Sequence, residues 1–586
     1  MEKFDIFSVI LLFGGLALFL YGMNVMSAGL ERMAGGKLEG MLKRMTSNRV
    51  KGLGLGAGIT AVIQSSSAVT VMLVGLVNSG IMGFGQSIGV IMGSNIGTTA
   101  TGWILSLAGI SGDNVFVNLL KPANLSMIVA LIGIIIYMLS KSAKKKDIGT
   151  IMLAFAILMT GMTLMGDAVA PLEESETFKN LMTAFSNPLL GVLVGLVITA
   201  VIQSSSASVG ILLTLAQRTG KITYSMAIPI IMGQNIGTCV TALISSIGVS
   251  RNAKKVAIVH ITFNVVGTVI FLGLYCILNA FLDFAFADQV VGATGIALIH
   301  TIFNVAATAL LLPFTKKLEQ FANFVLKDKA TNKPEQGEFL DERLLNTPSV
   351  AIAECNAMAH KMSGVALDTL MLAIDTVRNY NPDNAAVIME LEEKLDKYED
   401  MLGTYLVKMS TKTVSEVDSK RISRILHSID DFERMGDHAV NILAVAQELN
   451  DKRIEFSMKA QKEIETLAGA LEEILKITTE AYQSDDAALA VQVEPLEQVI
   501  DDLVDVIKAG HVERLREGLC TIEMGFILSD LLNNYERVSD HCSNVALSVI
   551  QMNYNSFDAH QYIHDVKYNS AEFTRWYETY GAKYSV

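Results

Sequence analysis

Two identical polar clusters interrupt apolar stretches of this chain, and both have the residue types of an ion-binding site. No Asp, Glu, Lys or Arg occurs in 59–109 or in 188–217, the stretches that contain them. Amide and hydroxyl oxygens suit a hard cation such as Na⁺, whereas hydroxyl and backbone N–H groups suit an oxyanion. We therefore expect a neutral site in which co-bound cations balance an anion's charge. The clusters are Gln64, Ser65, Ser66 and Ser67, and Gln203, Ser204, Ser205 and Ser206.

Two other interpretations of these clusters are weaker. Serine-hydrolase chemistry needs a general base, and neither a His nor a carboxylate accompanies either cluster in sequence. Packing of membrane helices through small residues would explain one copy. It does not explain two copies that are each followed, about 30 residues later, by an Asn-Ile-Gly-Thr element at Asn95 and Asn235. A helix that restarts at each cluster would instead offer its N-terminal N–H groups to an anion.

The composition separates a membrane half from a soluble half. The 586 residues are 51% hydrophobic, with a mean hydropathy of +0.41. Up to Leu318 there are 20 Lys and Arg against 12 Asp and Glu, and from Glu319 onward there are 26 against 47. The five cysteines have no paired spacing, which indicates a reducing compartment for the second half, without a disulfide framework or a cysteine zinc motif.

Apolar segments long enough to span a bilayer predict a polytopic membrane domain over 1–318. The N-terminal segment lacks a small-residue cleavage site, so we expect a first transmembrane helix and not a signal peptide. The two segments with polar clusters, near 53–80 and 189–216, are glycine-rich and fit re-entrant hairpins. The predicted spans are 6–27, 85–109, 122–139, 148–169, 225–248, 256–280 and 294–313.

An internal repeat organises this domain into repeat 1, about 6–139, and repeat 2, about 148–280, with an extra helix at 294–313. The alignment of the two copies places Asn124 opposite Asn264. Each copy has three crossings, an odd number, so the second copy lies inverted relative to the first, as in many secondary transporters.

The distribution of basic residues gives the predicted topology an orientation. Loops on one side carry 6, 4, 3 and 2 Lys or Arg, and loops on the other side carry 1, 1, 2 and 0. The positive-inside rule places the first side, and with it the C-terminal half, in the cytoplasm. The basic loops are 28–51, 140–147, 249–255 and 314–318.

Paired Gln-Ser-Ser-Ser hairpins in an inverted repeat resemble the type II sodium-dependent phosphate cotransporters and their bacterial relatives, over roughly residues 6–313. The resemblance implies that both clusters line central phosphate and sodium sites, with Na⁺ as the coupling ion. Cys239 departs from its counterpart Thr99. By the same resemblance, further contributors near the site are Asn95, Thr98, Thr99, Asn235 and Thr238.

Other polar residues in the apolar segments have more ordinary interpretations. His260 and His300 stand in similar HITFN and HTIFN sequences, and a neighbouring helix satisfies most such histidines. Asn264 and Asn304 suit hydrogen bonds between helices. Asp167, near the end of a span, is expected at the membrane interface and not as a sodium ligand.

After a charged linker at 319–346, the segment 347–555 has helical periodicity throughout and contains a second repeat. DFERMGDHAVNI at Asp431 matches NYERVSDHCSNV at Asn534, and each copy places Glu and Asp on one helix face. Carboxylates in this arrangement chelate a divalent metal when other helices add ligands, or form a salt-bridge lattice with Arg. The carboxylate pairs are Glu433 with Asp437, and Glu536 with Asp540.

These two copies resemble the PhoU domain, a phosphate-signalling fold of two three-helix bundles. The resemblance implies metal roles for the two carboxylate pairs, with nearby structural or outer-sphere residues. The tail 556–586 is aromatic and gives no interpretation. The nearby residues are Arg434, Arg537, His438 and His541.

The sequence thus predicts an all-α protein of the bacterial inner membrane: a sodium-coupled phosphate transporter working by alternating access, with a cytoplasmic PhoU-like regulatory domain. Transport makes no covalent change, so we expect no enzymatic activity. The expected partners are inorganic phosphate, sodium and the lipid bilayer, without nucleic acid, and homo-oligomerisation stays open. Two alternatives remain: a phosphate exporter controlled by the PhoU-like domain, and a membrane signalling protein that does not transport.

Overall fold

The structure, a computed structural model, divides into two compact units, Met1–Val350 and Ala351–Val586. The predicted all-α class is confirmed, since the described part of the chain is helical apart from one isolated bridge between Thr223 and Val290. The described residues are 5–34, 48–78, 82–107, 122–174, 187–327, 340–412, 414–552 and 571–585.

The first unit contains twelve described α-helices, together with short 3-10 turns at Ala170–Glu174, Leu312–Phe314 and Glu342–Asn346. The helices are α1 (Ile6–Ala34), α2 (Arg49–Ile63), α3 (Ser66–Asn78), α4 (Phe84–Ser106), α5 (Pro122–Leu139), α6 (Ala143–Val169), α7 (Pro188–Ile202), α8 (Ser205–Thr219), α9 (Tyr224–Ser245), α10 (Arg251–Leu282), α11 (Ala293–Leu311) and α12 (Thr315–Val325).

Five helical stretches among the described residues are long and apolar enough to cross a membrane. They correspond to five of the seven predicted spans. The other two predicted spans, 85–109 and 122–139, also contain helices, α4 and α5, and residues 108–109 lie outside the described part of the chain. The five stretches are Ile6–Met33, Ala143–Leu172, Tyr224–Ser245, Arg251–Leu282 and Ala293–Val325.

Glycines let the helix that precedes each polar cluster approach a long helix of the same repeat closely. A Cβ atom on Gly97 would lie 2.5 Å from the Ala57 carbonyl oxygen, and one on Gly237 would lie 2.6 Å from that of Leu196. Contacts of this kind join α2 to α4 and α7 to α9. Because no side chain larger than hydrogen fits there, each helix that precedes a cluster is held directly against a long helix of the same repeat.

One predicted equivalence within the repeat is corrected. The sequence placed Asn124 of α5 opposite Asn264 of α10. In the structure, the Thr268 hydroxyl of α10 bonds to the Met232 carbonyl oxygen of α9, and the Thr308 hydroxyl of α11 bonds to that of Met92 in α4, both at 3.5 Å. The helix that packs on α4 as α10 packs on α9 is therefore α11, whereas α5 packs along α6.

The second unit has helices whose buried residues recur every three or four positions, as in a helical bundle. The C-terminal tail, which had no interpretation from its residues alone, forms a helix in its described part, and residues 553–570 lie outside the described chain. The helices are α13 (Pro348–Arg378), α14 (Pro382–Ser410), α15 (Glu416–Lys452), α16 (Met458–Ser484), α17 (Ala487–Ala490), α18 (Val493–Arg516), α19 (Ile522–Gln551) and α20 (Ala571–Lys583).

Candidate functional site

Each polar cluster begins at a break between two helices. Gln64 ends α2 in the left-handed conformation (φ 60°), and Gln203 ends α7 in the same conformation (φ 59°). The backbone N–H of Gln64 bonds to the Thr60 carbonyl oxygen, and that of Gln203 to the Thr199 carbonyl oxygen, both at 2.7 Å. A left-handed residue cannot continue an α-helix, so the chain changes direction at each glutamine.

The serine after each glutamine caps the next helix. The Ser204 hydroxyl accepts a hydrogen bond from the Ala207 N–H at 3.2 Å, and the Ser65 hydroxyl accepts one from the Ala68 N–H at the same distance. Helices α3 and α8 therefore start within the two clusters. Their free N–H groups and positive dipole ends lie where an anion would be stabilised.

The two breaks meet at one cavity of about 250 Å³. All eight cluster residues proposed from the sequence line it, so the structure brings both copies together. The side chains of its lining are polar or apolar and none carries a charge. The lining residues are Leu20, Met23, Asn24, Ser27, Gln64, Ser65, Ser66, Ser67, Ile202, Gln203, Ser204, Ser205 and Ser206.

Several buried oxygens at the breaks have no hydrogen-bond partner among the described residues. They are the side-chain oxygens of Gln64, Thr60 and Thr199, and the two threonines hold equivalent positions in the repeats. A buried polar atom without a partner is costly. These oxygens have the chemistry of ligands for a hard cation, which would satisfy them.

Helix α1 adds residues to the cavity that the sequence analysis did not identify. Asn24 and Ser27 line it, and the Ser27 hydroxyl donates to the carbonyl oxygen of Ile63, the last residue of α2. The available signal was the repeat itself, because YGMNVM at Tyr21 matches TGMTLM at Thr160. An asparagine amide adds one further neutral oxygen and two N–H donors.

The Asn-Ile-Gly-Thr elements lie outside the lining of this cavity. Asn95 donates to the Asn264 side chain at 3.0 Å and so joins α4 to α10. The other predicted contributors bond to backbone carbonyl oxygens of their own helices. These bonds run from Thr98 to Ser94, from Thr99 to Ile96, from Asn235 to Ile231 and from Thr238 to Gln234.

In the second unit, the two carboxylate pairs differ in their neighbours. Burial and the carboxylates of Asp437, Asp396 and Asp430 raise the pKa of Glu433 to about 7. In contrast, Lys508 lies 3.3 Å from Glu536. Burial raises the pKa of Asp540, and the Arg537 guanidinium, 3.3 Å from its carboxylate, opposes that rise.

The two copies of the acidic motif meet through their histidines. His438 bonds to Asn534 at 2.8 Å, and His541 bonds to Asp431 at 2.9 Å. Asp431 and Asn534 are equivalent residues of the repeat, so the two bonds are reciprocal. The imidazole rings lie with their centroids 5.6 Å apart. The histidines thus hold α15 against α19.

Models of two protein families match the chain. The Na⁺/Pi-cotransporter model matches residues 18–167 and 157–287, and the PhoU domain model matches 359–446 and 464–549. The chain therefore combines a Na⁺/Pi-cotransporter family domain with a C-terminal PhoU domain. Both matches are double, in agreement with the two internal repeats. This is a phosphate transporter family, and the cavity lies in the transporter domain.

The chain is similar to relatives over very different lengths. The putative inorganic phosphate export protein YjbB of Escherichia coli O157:H7 is 22% identical over 92% of this chain and 97% of its own length. YqeW of Bacillus subtilis (strain 168), described as uncharacterized, is 29% identical over 45% of this chain and 82% of its own. Sodium-dependent phosphate transport protein 2A of Rattus norvegicus is 40% identical over 17% of this chain and 16% of its own.

The metal roles of the two carboxylate pairs in the PhoU domain stay a prediction. Among the residues that the structure describes, no three His, Cys, Asp or Glu side chains are grouped to hold a metal. Glu433 and Asp437 face other carboxylates that a cation would relieve, whereas Glu536 and Asp540 already have basic partners. The first pair therefore fits a cation better than the second.

Proposed function

We propose that this protein carries inorganic phosphate across the membrane together with sodium, through alternating access of the cavity between the two Gln-Ser-Ser-Ser breaks. The PhoU domain would regulate this transport from the cytoplasm. The observation that carries the proposal is the meeting of both clusters in one uncharged cavity beside two helix N-termini.

The residues of the cavity suit phosphate and sodium in different ways. The N-terminal ends of α3 and α8 supply N–H groups and positive potential, and the serine hydroxyls donate to phosphate oxygens. Ser66 and Ser205 are buried at the first residues of these helices, with 4% and 5% of their surface exposed. Both hydroxyls therefore act in a setting with little competing water.

Sodium supplies the positive charge that the lining lacks. Without Lys or Arg in the cavity, a bound phosphate is balanced by helix dipoles and by cations that enter with it. The unpartnered oxygens of Gln64, Thr60 and Thr199 are suitable ligands for Na⁺. Binding of the two ions is then interdependent, which is the physical basis of coupled transport.

Export is a second candidate for the direction of transport. A relative that aligns along nearly the whole chain, PhoU domain included, is named a putative inorganic phosphate export protein. A cytoplasmic PhoU domain suits a transporter that responds to phosphate inside the cell. Gradients and regulation set the direction, so export uses the same cavity and the same residues.

Radiolabelled phosphate flux in proteoliposomes tests the proposal. The full-length protein should carry phosphate when a sodium gradient is imposed, and flux should nearly vanish when choline replaces sodium. Absence of any phosphate flux, with or without sodium and at every membrane voltage, would contradict transport and favour a signalling role. Flux that is equal in choline would contradict sodium coupling while leaving phosphate transport intact.

Serine replacements locate the site. Ser66→Ala and Ser205→Ala should each reduce phosphate affinity by about tenfold, since a hydrogen bond to a charged ligand contributes roughly 1.5–3 kcal/mol. Ser87→Ala is the matched control, because Ser87 is also buried but its hydroxyl bonds to the Phe84 carbonyl oxygen of its own helix and lies outside the cavity. Unchanged affinity in both site variants would place the phosphate elsewhere.

A further inference from the structure

Residues 340–347, which we call the strap, lie packed against the transporter domain at the end of the segment predicted as a linker. The strap contains the 3-10 turn Glu342–Asn346 and leads by chain connectivity into α13, which begins at Pro348. Leu344 is fully buried, and Asp341 is 2% exposed. Burial of a carboxylate and a leucine is unusual for a free linker and indicates a specific docking contact.

The strap binds the C-terminal end of α3. The Asn78 side-chain amide donates to the Asp341 carboxylate at 2.6 Å. Leu344 packs on Gly75, where an added Cβ would lie 2.8 Å from a Leu344 methyl carbon. Helix α3 therefore has Ser66 and Ser67 in the cavity at one end and the strap at the other.

The strap also binds the turn between α9 and α10, which belongs to the second repeat. Arg343 bonds to Asp341 through its guanidinium and donates to the Ile247 carbonyl oxygen at 2.8 Å. The Asn78 side-chain oxygen accepts the Ser250 N–H at 2.8 Å. One hydrogen-bond network thus joins the first repeat, the strap and the second repeat.

We propose that the strap is a regulatory clamp, through which the PhoU domain controls movement of the first repeat against the second. Alternating access moves one repeat relative to the other. A network that ties α3 to the α9–α10 turn opposes that movement, and its release frees the helix that carries Ser66. This inference rests on the proposed transport function for its consequence, but the clamp itself is a property of the fold.

Hydrogen exchange on the full-length protein measures the clamp directly. Asp341→Ala should speed amide exchange in α3 by roughly tenfold, as expected for losing hydrogen bonds to a charged group. Helix α8, the equivalent helix of the second repeat, should exchange as in the wild type. Asn346→Ala is the matched control, since Asn346 is an exposed residue of the same turn. Equal acceleration in α3 and α8 would mean general destabilisation and would overturn the proposal.

A double-mutant cycle separates the clamp from general packing. Asn78→Ala and Asp341→Ala both remove the Asn78–Asp341 hydrogen bond, so the free-energy effect of the double variant on exchange in α3 should fall clearly short of the sum of the two single effects. Additive effects would overturn the proposal. Asp341→Asn, which keeps the side-chain shape and an acceptor for Asn78, serves if the alanine variant fails to fold, and a smaller acceleration in α3 is then expected.

Flux gives the functional consequence. In proteoliposomes the Asp341→Ala protein should carry phosphate faster than the wild type, because the opposing contact has been removed. Slower or unchanged flux in a protein with faster α3 exchange would overturn the regulatory role. If the wild type carries no phosphate, the transport proposal fails, while the exchange measurement still decides whether the clamp exists.

Discussion

The two Gln-Ser-Ser-Ser breaks have the same backbone geometry but different surroundings. Gln64 and Gln203 both adopt the left-handed conformation, and a serine caps the following helix in each copy. The Gln64 side chain is nevertheless buried and donates to the Ala61 carbonyl oxygen, whereas the Gln203 side chain is exposed at the cavity. The repeat thus duplicates the break and not its environment.

The neighbouring helices differ in the same way. Asn24 and Ser27 of α1 line the cavity, but their counterparts in α6, Thr163 and Gly166, do not. The Thr163 hydroxyl bonds to the Met159 carbonyl oxygen of its own helix. The two halves of the site therefore differ in the helix residues beside the break and in the burial of the glutamine. We infer that the two glutamines contribute unequally to sodium binding.

The largest expected effect is a loss of stability when a close helix contact is overpacked. It should be equal in the two copies, because both have the same backbone arrangement. A Cβ on Gly93 would overlap the Leu53 carbonyl oxygen, and one on Gly233 would overlap that of Val192. Gly93→Ala and Gly233→Ala should each lose stability at the upper end of the roughly 1–3 kcal/mol that overpacking costs, or fail to fold. Thermal unfolding in detergent measures this loss.

Gly54→Ala provides the control for this comparison. Nothing lies within 4 Å of a Cβ at Gly54, so alanine there should leave stability unchanged or raise it by up to about 1 kcal/mol. A Gly93→Ala protein as stable as the wild type would show that α2 and α4 are not in close contact. A loss of stability in only one of Gly93→Ala and Gly233→Ala would show that the two copies are packed differently.

The second largest effect, on the sodium dependence of flux, should differ between the two copies. Glycine accepts the left-handed conformation, so Gln64→Gly and Gln203→Gly remove each side chain without new backbone strain. We expect the sodium concentration for half-maximal flux to rise about tenfold for Gln64→Gly, since its buried oxygen has no partner among the described residues. The exposed Gln203 should matter less. The reverse order would assign the cation to the second copy, and equal effects would show that both glutamines contribute equally to sodium binding.

Much of this site was predictable because its signals are local. A polar cluster within an uncharged apolar segment indicates a break whatever packs around it, and its duplication indicated two breaks. The charge of the second half and the ERMGDH and ERVSDH motifs likewise indicated the PhoU domain, which the family match bears out.

The rest depends on packing between distant segments. The match of YGMNVM to TGMTLM marks both helices as parts of the repeat, but it does not show that Asn24 lines the cavity while its counterpart Thr163 does not. The pairing of α11 with α4 had a signal in HITFN and HTIFN, at His260 and His300, but the sequence alignment of the repeats favoured α5. The strap could not be predicted because Asp341 and Arg343 are charged, and charged residues usually indicate an exposed segment. In the structure the two side chains form an ion pair within a docked turn.

The smallest effect concerns the acidic pairs of the PhoU domain, where the two copies should again differ. We predict that Mg²⁺ or Mn²⁺ raises the unfolding temperature of the full-length protein through Glu433 and Asp437, and that Glu433→Gln reduces this rise. Glu536→Gln is the matched variant and should leave the rise unchanged, because Lys508 already neutralises Glu536.

The pH dependence of this effect follows from the raised pKa of Glu433. Its pKa is about 7 in the folded protein against an ordinary value of 4.5, so the folded state retains a proton that the unfolded state loses. Without a divalent cation, this group's contribution to stability is fully present below about pH 4.5 and is lost as the pH rises through 7. The cation competes with that proton, so its stabilising effect should grow across the same range. A cation response that is independent of pH, or that survives in Glu433→Gln, would place the cation away from this pair.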